Sequence, residues 1–173
     1  MSALGQSDCH RHSDIKAKVA VLTISDTRTV ETDESGRIIK DKLIAAEHTV
    51  AAYRITTDDP EIIRDAIEQF LNDPNIEAVI TNGGTGISPR DQTVETVTRL
   101  LDKTLDGFGE LFRFLSYEEI GSSAMMSRAI GGIARGKPLF ALPGSKAAVR
   151  LGMEKLILPE LPHLLYELRK HAR

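Results

Sequence analysis

The chain has 173 residues and a mass of 19.0 kDa, a length that predicts a single domain. Hydrophobic residues make up 41% of it and charged residues 27%, which is typical of a globular protein and excludes disorder along the whole chain. Its 22 basic residues nearly balance 25 acidic ones, for a net charge of −3, so no basic excess suggests a nucleic-acid partner.

Cysteine usage and hydropathy predict a cytoplasmic protein. The only cysteine, Cys9, excludes an intramolecular disulfide and favours a reducing compartment. No apolar run reaches the roughly 18 residues of a membrane span, and the first residues lack the apolar centre of a signal peptide. We therefore expect no membrane partner.

The first residues are polar and show no hydrophobic period. They predict a disordered tail over residues 1–16, followed by one domain over residues 17–173. Cys9, His10 and His12 could bind a metal, but no second cluster stands at zinc-site spacing, so a solvated tail is favoured.

Apolar patterns along the rest of the chain predict alternating strands and helices. Short β-branched runs indicate buried strands, and apolar positions three and four apart indicate helices. In chain order we predict a strand at Lys18–Ile24, a helix at Glu34–Ala46, a strand at Thr49–Ile55, a helix at Glu61–Leu71, a strand at Ile76–Thr81, helices at Thr93–Leu101, Gly107–Leu115 and Glu118–Ala129, a strand at Lys137–Ala141, and helices at Ser145–Leu158 and Leu161–Lys170. This alternation predicts an α/β fold in which a parallel sheet carries helices on both faces.

Four polar or glycine-rich segments follow the predicted strands: 25–27, 57–59, 81–86 and 143–146. Ligands of open parallel sheets bind beyond the carboxyl ends of the strands. Because the four segments all leave such ends, we expect them to form one site.

The glycine loop, Thr81-Asn82-Gly83-Gly84-Thr85-Gly86, is the sharpest local pattern. Glycines allow positive φ and a close approach of backbone to ligand, and consecutive N–H groups before a helix bind anions. The loop therefore predicts a cradle for phosphate or pyrophosphate, with a tight turn that binds nothing as the alternative. It matches neither GxxxxGK[ST] nor GxGxxG, so it does not identify a nucleotide.

Several charged residues near these segments have two alternative roles. Asp91 and Asp58 can each cap the helix that follows or hold a divalent cation beside phosphates. Arg90 can pair with phosphate or lie on the surface. Ser25 and Asp26 are candidates because they follow the first strand.

The segment Pro143-Gly144-Ser145-Lys146 offers close backbone approach, a helix cap and a cation, or else an ordinary turn with a solvated lysine. Glu110 is a lone acid among apolar neighbours, for which the sequence favours a solvated helix face. Met125 and Met126 are interpreted as core residues. The absence of GxSxG and HExxH disfavours the hydrolases that those motifs mark.

Six segments together resemble one known family. TNGGTG with SPRDQT, GFGELFR, SYEEIGSSAMMSRA, LPGS, ISDTR and DESG stand in the order and spacing of the MoaB/MogA family of molybdenum cofactor biosynthesis proteins. The resemblance covers the chain from about residue 16 to the C-terminus. SYEEIGSSAMMSRA is more similar to the MoaB branch than to the MogA branch.

This resemblance implies a three-layer α/β fold with a doubly wound, mostly parallel sheet, assembled as a homotrimer or homohexamer. It implies molybdopterin as the ligand and, in active members, its adenylylation by Mg·ATP with release of pyrophosphate. Asp58 and Asp91 match the family's functional carboxylates, and we expect them to hold Mg²⁺. Residues that match pocket motifs are Ser25, Asp26, Gly83, Gly84, Thr85, Gly86, Gly109, Glu110, Pro143, Gly144 and Ser145, and Arg90 beside the glycine loop is a further candidate.

One position departs from the family pattern. Asn82 stands where the family often has glycine or threonine, although asparagine can still adopt the left-handed conformation.

Other functions stay open from the sequence. A non-catalytic paralogue would bind molybdopterin through the same residues without turning over ATP. A pyrophosphatase-like relative and a clustering scaffold are further alternatives. A Rossmann-type dinucleotide enzyme is disfavoured, because ISDTR stands where its fingerprint would follow the first strand. The apolar residues between Phe108 and Leu115 are either a subunit contact or core.

Overall fold

A computed structural model describes residues 12–170 of the chain. Most of the predicted disordered tail, with Cys9 and His10, lies outside the described residues. The chain is already packed at His12, whose ring stacks on Tyr166 with 3.6 Å between centroids. Ile15 also packs against the core. The tail boundary predicted at residue 16 therefore lies too far along the chain.

The described chain contains six strands and six α-helices. The strands are β1 (Lys18–Ile24), β2 (Thr49–Thr56), β3 (Ala78–Asn82), β4 (Lys103–Thr104), β5 (Ile130–Ala134) and β6 (Lys137–Leu142). The helices are α1 (Glu34–Ala45), α2 (Pro60–Asn72), α3 (Thr93–Leu100), α4 (Asp106–Ile120), α5 (Lys146–Gly152) and α6 (Leu158–Lys170). A 3-10 helix at Gly121–Met126 follows α4, and a π-helical segment at Met153–Ile157 joins α5 to α6.

The strands form one sheet in the order β2-β1-β3-β6-β5-β4. The first four are parallel, whereas β5 is antiparallel to both of its neighbours. Ile24 pairs with Thr56, and Asn82 pairs with Leu142, so the carboxyl ends of the parallel strands lie level with one another. The loops that leave these ends therefore meet at one edge of the sheet, and the predicted mostly parallel α/β fold is confirmed.

Alternate residues of β1 enter two separate cores. Val19 and Val21 pack in a cluster with residues of α1, α4, α5 and α6. Ala20 and Leu22 pack in a second cluster with residues of α2 and α3. Since successive side chains of a strand point to opposite faces, the sheet is buried between two layers of helices. This is the predicted three-layer arrangement.

Two predictions between residues 107 and 134 are wrong. The predicted break near Leu115 is absent, because α4 continues to Ile120, and the predicted helix at 118–129 is replaced by the 3-10 helix and an extended segment. Strands β4 and β5 were not predicted from the sequence. Met125 and Met126, interpreted as core, are 82% and 49% exposed.

The predicted helix boundary at Pro159 is also wrong. Helical structure continues from Lys146 to Lys170, with the π-helical segment directly before Leu158. A proline lacks the N–H that the interior of an α-helix requires, and local changes of hydrogen-bond pattern accommodate it. Within residues 12–170, no helix has the length and apolarity to cross a bilayer.

Candidate functional site

Asp58 follows β2 but does not cap α2. Asp59 is the cap, and its Oδ1 accepts hydrogen bonds from the backbone N–H groups of Glu61 at 2.9 Å and Ile62 at 3.2 Å. The prediction that Asp58 could be this cap is therefore wrong, and its side chain is left for another role. Its Oδ1 is buried and has no hydrogen-bond partner among the described residues.

The surroundings of the Asp58 carboxyl group raise its pKa. Burial raises the pKa of its carboxyl above the ordinary value, and the negative charges of Asp91 and Asp26 raise it further. The backbone N–H of Gln92 and the charge of Arg90 act in the opposite direction and lower this pKa. A bound cation would relieve both the burial of charge and the repulsion between carboxylates.

The glycine loop needs its first two glycines for steric reasons. Gly83 has φ of +98°, and a Cβ there would lie 2.2 Å from the carbonyl oxygen of Ile24. Gly84 has φ of +67°, and a Cβ there would lie 2.1 Å from Oγ1 of Thr93 and 3.2 Å from Oδ1 of Asp58. Asn82, by contrast, is a fully buried residue of β3 with negative φ, so this departure needs no left-handed conformation.

Hydrogen bonding divides the loop into an anchored part and a free part. The N–H of Gly83 donates to the carbonyl of Leu142 at 3.0 Å, and the carbonyl of Gly84 accepts from the N–H of Thr93 at 3.1 Å. No described residue accepts a hydrogen bond from the backbone N–H groups of Gly84, Thr85 or Gly86. These donors, close to the first turn of α3, are what an anion site requires.

Asp91 packs against the same loop. Its Oδ2 accepts a hydrogen bond from the N–H of Ser88 at 3.0 Å and lies 2.6 Å from where a Cβ on Gly86 would be. Gln92 holds the cap position of α3 without a side-chain cap, so the predicted capping role of Asp91 is wrong. Asp58 and Asp91 thus lie against Gly84 and Gly86, respectively.

The loop after β6 lies beside the glycine loop. A Cβ on Gly144 would be 3.2 Å from Cα of Gly83, so the two loops are in contact. Ser145 caps α5, with its Oγ accepting from the N–H of Ala148 at 3.1 Å. Lys146 pairs with Glu34 at 2.7 Å and is thus held by a carboxylate.

The loop after β1 supports this arrangement. Oγ of Ser25 accepts hydrogen bonds from the N–H groups of Thr27 and Arg28 at 3.2 and 3.1 Å, and this fixes the turn. Arg28 then donates to the carbonyl of Gly144 at 2.8 Å. Asp26 is exposed, accepts from the N–H of Asp58 at 3.0 Å and pairs with Arg90, whose side chain is largely solvated.

The glycine loop and the loop after β6 border a cleft of about 450 Å³. Two of the four predicted segments, 81–86 and 143–146, contribute to its lining, together with Asp91. These lining residues are Gly83, Gly84, Thr85, Gly86, Asp91, Pro143, Gly144 and Ser145. The remaining lining residues are Phe112, Ser116, Ile120, Ser123, Met126, Ser127 and Ala148. Most of this second group lies on α4 and the 3-10 helix, and none of these residues was predicted from the sequence to belong to the site.

Six predicted site residues do not line this cleft. Asp58 contacts the glycine loop without lining the cleft, and Ser25, Asp26 and Arg90 belong to loops around it. Glu110 is exposed, as its solvated-face interpretation predicts, and with Gly109 it lines a neighbouring cavity of about 460 Å³.

A magnesium site fits these residues only with help from a ligand. Within residues 12–170, no group of three or more His, Cys, Asp or Glu is close enough to hold a metal on its own. Mg²⁺ is commonly bound by one or two carboxylates, with water and substrate phosphates completing its shell. The unpartnered Oδ1 of Asp58 and the carboxylate of Asp91 satisfy that requirement.

Comparison with known proteins gives a consistent result. Residues 20–163 match the family described as a probable molybdopterin-binding domain. The molybdenum cofactor biosynthesis protein B of Bacillus cereus is 53% identical over 156 residues, which cover 90% of this chain and 92% of that protein.

Two solved structures extend the comparison. A crystal structure of a molybdenum cofactor biosynthesis protein B has a TM-score of 0.89 at 52% identity, covering 91% of this chain and 98% of that one. A tungsten cofactor synthesizing protein MoaB from Pyrococcus furiosus has a TM-score of 0.80 at 38% identity, covering 89% and 98%. The chain therefore belongs to the MoaB/MogA family of molybdenum cofactor biosynthesis proteins.

Proposed function

We propose that this chain binds molybdopterin and adenylylates it with Mg·ATP, releasing pyrophosphate. The observation that carries the proposal is the packing of Asp58 and Asp91 against a glycine loop in which the N–H groups of Gly84, Thr85 and Gly86 have no acceptor among residues 12–170. Hydrogen-bond donors for an anion and carboxylate ligands for a cation thus occur side by side, as a transfer between phosphates requires.

The proposed reaction joins two anionic groups. An oxygen of the molybdopterin phosphate attacks the α-phosphorus of ATP, and the bond between that phosphorus and the bridging oxygen of the leaving pyrophosphate breaks. The attacking phosphate is already anionic at neutral pH, so no side chain has to remove a proton. Asp58 and Asp91 would hold Mg²⁺, which supplies neutralisation of phosphate charge when bound.

The chain's own residues would orient the reactants. The N–H groups of Gly84, Thr85 and Gly86 would donate to phosphate oxygens and stabilise charge that develops during transfer. Phe112, Ile120 and Met126 add apolar side chains to the lining of the cleft, beside these polar groups. A cleft of about 450 Å³ that is lined by both apolar and polar groups suits an aromatic heterocycle that carries a phosphate.

We also propose that the chain works as a homotrimer or homohexamer in the cytoplasm. Supporting this assembly, Leu111, Phe114 and Tyr117 of α4 are 52%, 60% and 62% exposed. Apolar side chains three residues apart form one stripe along a helix, and such exposed stripes mark contact surfaces. Phe108 and Phe112 of the same segment are instead buried in the core.

The decisive experiment incubates purified protein with molybdopterin, ATP and Mg²⁺ and measures adenylylated pterin and pyrophosphate. Product from the wild-type protein and its loss in Asp91→Asn would support both the reaction and the role of Asp91. Molybdopterin binding without product would instead identify a non-catalytic binding protein with the same cleft. Product that persists undiminished in Asp91→Asn would show that the assignment of Asp91 is wrong.

A further inference from the structure

Arg128 lies between the 3-10 helix and β5, and its guanidinium hydrogen-bonds to backbone carbonyls of the glycine loop and of Asp91. Its Nε donates to the carbonyl oxygens of Thr85 at 3.3 Å and Gly86 at 3.0 Å. Its Nη2 donates to the carbonyl oxygens of Gly86 at 2.7 Å and Asp91 at 3.2 Å. One guanidinium thus holds three carbonyls at both ends of the segment from Thr85 to Asp91.

Glu95 fixes the orientation of this guanidinium. Its carboxylate, in the first turn of α3, pairs with Nη1 of Arg128 and accepts from Nη2 at 3.4 Å. The hydrogen bond from Arg128 also holds the pKa of Glu95 below its ordinary value. The planar fork of an arginine therefore has one edge on a carboxylate and the other on the loop carbonyls, a geometry that lysine cannot reproduce.

Because Arg128 fixes these carbonyl groups, it also fixes the direction of the N–H group in each of the same peptide units. A trans peptide unit is planar, and its C=O and N–H point in opposite directions. Holding the carbonyl of Thr85 therefore turns the N–H of Gly86 away from Arg128. Gly86 lines the cleft, whereas Arg128 lines the neighbouring cavity of about 460 Å³, so this N–H is directed away from that cavity.

The carbonyl of Asp91 and the N–H of Gln92 belong to one peptide unit as well. Arg128 holds that carbonyl at 3.2 Å, so it also fixes the orientation of the N–H of Gln92, the cap residue of α3. A single side chain that does not itself line the cleft thus fixes peptide units at both ends of the segment from Thr85 to Asp91.

We propose that Arg128 is a positioning residue that sets the N–H of Gly86 for the phosphate ligands and fixes the peptide unit of Asp91 and Gln92 at the start of α3. The inference rests on the proposed adenylylation for its kinetic consequence, but its structural consequence is independent of that activity.

The test compares Arg128→Lys with Arg113→Lys. Arg113 is a matched control because it lines the same cavity and donates to the carbonyl of Ala129 at 3.3 Å without contacting the glycine loop. Hydrogen exchange of the backbone amides in residues 83–92 is the readout that does not depend on activity. We expect Arg128→Lys to increase that exchange about 10-fold while the amides of β1 and β3 stay protected, and Arg113→Lys to leave it unchanged.

The kinetic readout separates positioning from folding. Arg128→Lys is expected to lower kcat roughly 10- to 100-fold with a much smaller change in KM for ATP, since misplaced donors affect transfer more than binding. Glu95→Gln, a second variant that leaves Arg128 in place, is expected to change both readouts in the same direction but less. Unchanged loop exchange in Arg128→Lys, an equal effect of Arg113→Lys, or a kcat within about twofold of wild type would overturn the proposal.

If the wild-type protein makes no adenylylated pterin, the proposed function fails while Arg128 can still be tested. Loop exchange and the affinity for molybdopterin then decide. Faster loop exchange with weaker pterin binding in Arg128→Lys alone would support the positioning role, and wild-type values for both would refute it.

Discussion

The backbone N–H of Asp58 donates a hydrogen bond to Oδ1 of Asp26 at 3.0 Å, which joins the loop after β2 to the loop after β1. Asp26 also pairs with Arg90, which precedes α3. Three loops are therefore linked at one edge of the sheet. The position of the Asp58 carboxylate depends on this chain of contacts as well as on its own loop.

Asp58→Asn is expected to raise the stability of the protein at neutral pH while it lowers adenylylation at least roughly 100-fold. Burial, together with Asp91 and Asp26, raises the pKa of Asp58, so folding favours the protonated form. This contribution to stability is complete below the ordinary pKa of 3.8 and is lost as the pH rises through the raised value. Asparagine carries no charge and avoids that loss.

Calorimetry of wild type and Asp58→Asn at about pH 7 and about pH 4 measures the effect. The variant should melt at the higher temperature near neutrality, and the difference should shrink in acid. A variant that melts below the wild type at neutral pH would contradict the argument.

Acid is expected to destabilise the protein through His48. Burial lowers the pKa of His48, and the charge of Lys16 lowers it further. Its neutral Nδ1 accepts a hydrogen bond from the N–H of Ala17 at 3.0 Å, which the protonated ring cannot do. The stability from this neutral form is present above the ordinary pKa of 6.5 and is lost as the pH falls through the lowered value.

Melting temperatures between about pH 8 and about pH 5 test this prediction. His48→Gln should be less stable than the wild type at the upper end, because the buried contact is altered, and should change less with pH. An identical pH slope in both proteins would show that His48 does not cause the acid sensitivity.

Gly83→Ala is expected to destabilise the fold and to abolish measurable molybdopterin binding. Its φ of +98° and the carbonyl oxygen of Ile24 at 2.2 Å from the new Cβ both oppose a side chain. The backbone conformation alone costs about 1–3 kcal/mol, and the clash displaces the loop. Gly107→Ala is the control, because nothing lies within 4 Å of a Cβ there. The control should stabilise the protein by roughly 0.4–1 kcal/mol in urea unfolding, and equal losses in both variants would contradict the steric explanation.

Phe114→Glu is expected to dissociate the proposed trimer or hexamer. Phe114 is 60% exposed on α4, and a charge placed within a subunit contact would have to be buried without a partner. Sedimentation of the wild type, Phe114→Glu and Ile62→Glu at equal concentrations measures the effect. Ile62, 47% exposed on α2, is the matched apolar control on the other face of the sheet. A monomeric wild type, or dissociation by Ile62→Glu as well, would argue against this contact.

Most of the fold follows from the sequence because its parallel strands and amphipathic helices have clear hydrophobic patterns. Most of the wrong or missing predictions lie between residues 103 and 134, and β5 is the clearest of them, because its glycines carry no strand signal. Gly131 and Gly132 are needed there because added Cβ atoms would lie 2.6 Å from the ring of Phe140 and 2.2 Å from the carbonyl of Lys103. Such close approaches depend on residues brought together by folding, so a local pattern cannot reveal them.

The candidate site was predictable to the extent that it consists of loops after strands. Those loops could be located, but the roles within them could not. Asp59 rather than Asp58 caps α2, and Gln92 rather than Asp91 holds the cap position of α3, choices that depend on backbone geometry at single residues. The apolar residues that α4 contributes to the cleft were not predicted, because their spacing along the helix is the same as that of residues buried in the core.

The reversed direction of β5 determines which parts of the chain can reach the binding edge. In a wholly parallel sheet, the edge formed by the carboxyl ends of the strands is reached directly only by residues that follow a strand. Because β5 runs against β6, with Ile130 opposite Ala141, its starting end lies level with the finishing ends of the others. Arg128 comes just before β5 and therefore lies at the same edge of the sheet, where it contacts the glycine loop. The antiparallel direction of β5 thus allows a segment that precedes a strand to contribute to a site that is otherwise built from segments that follow strands.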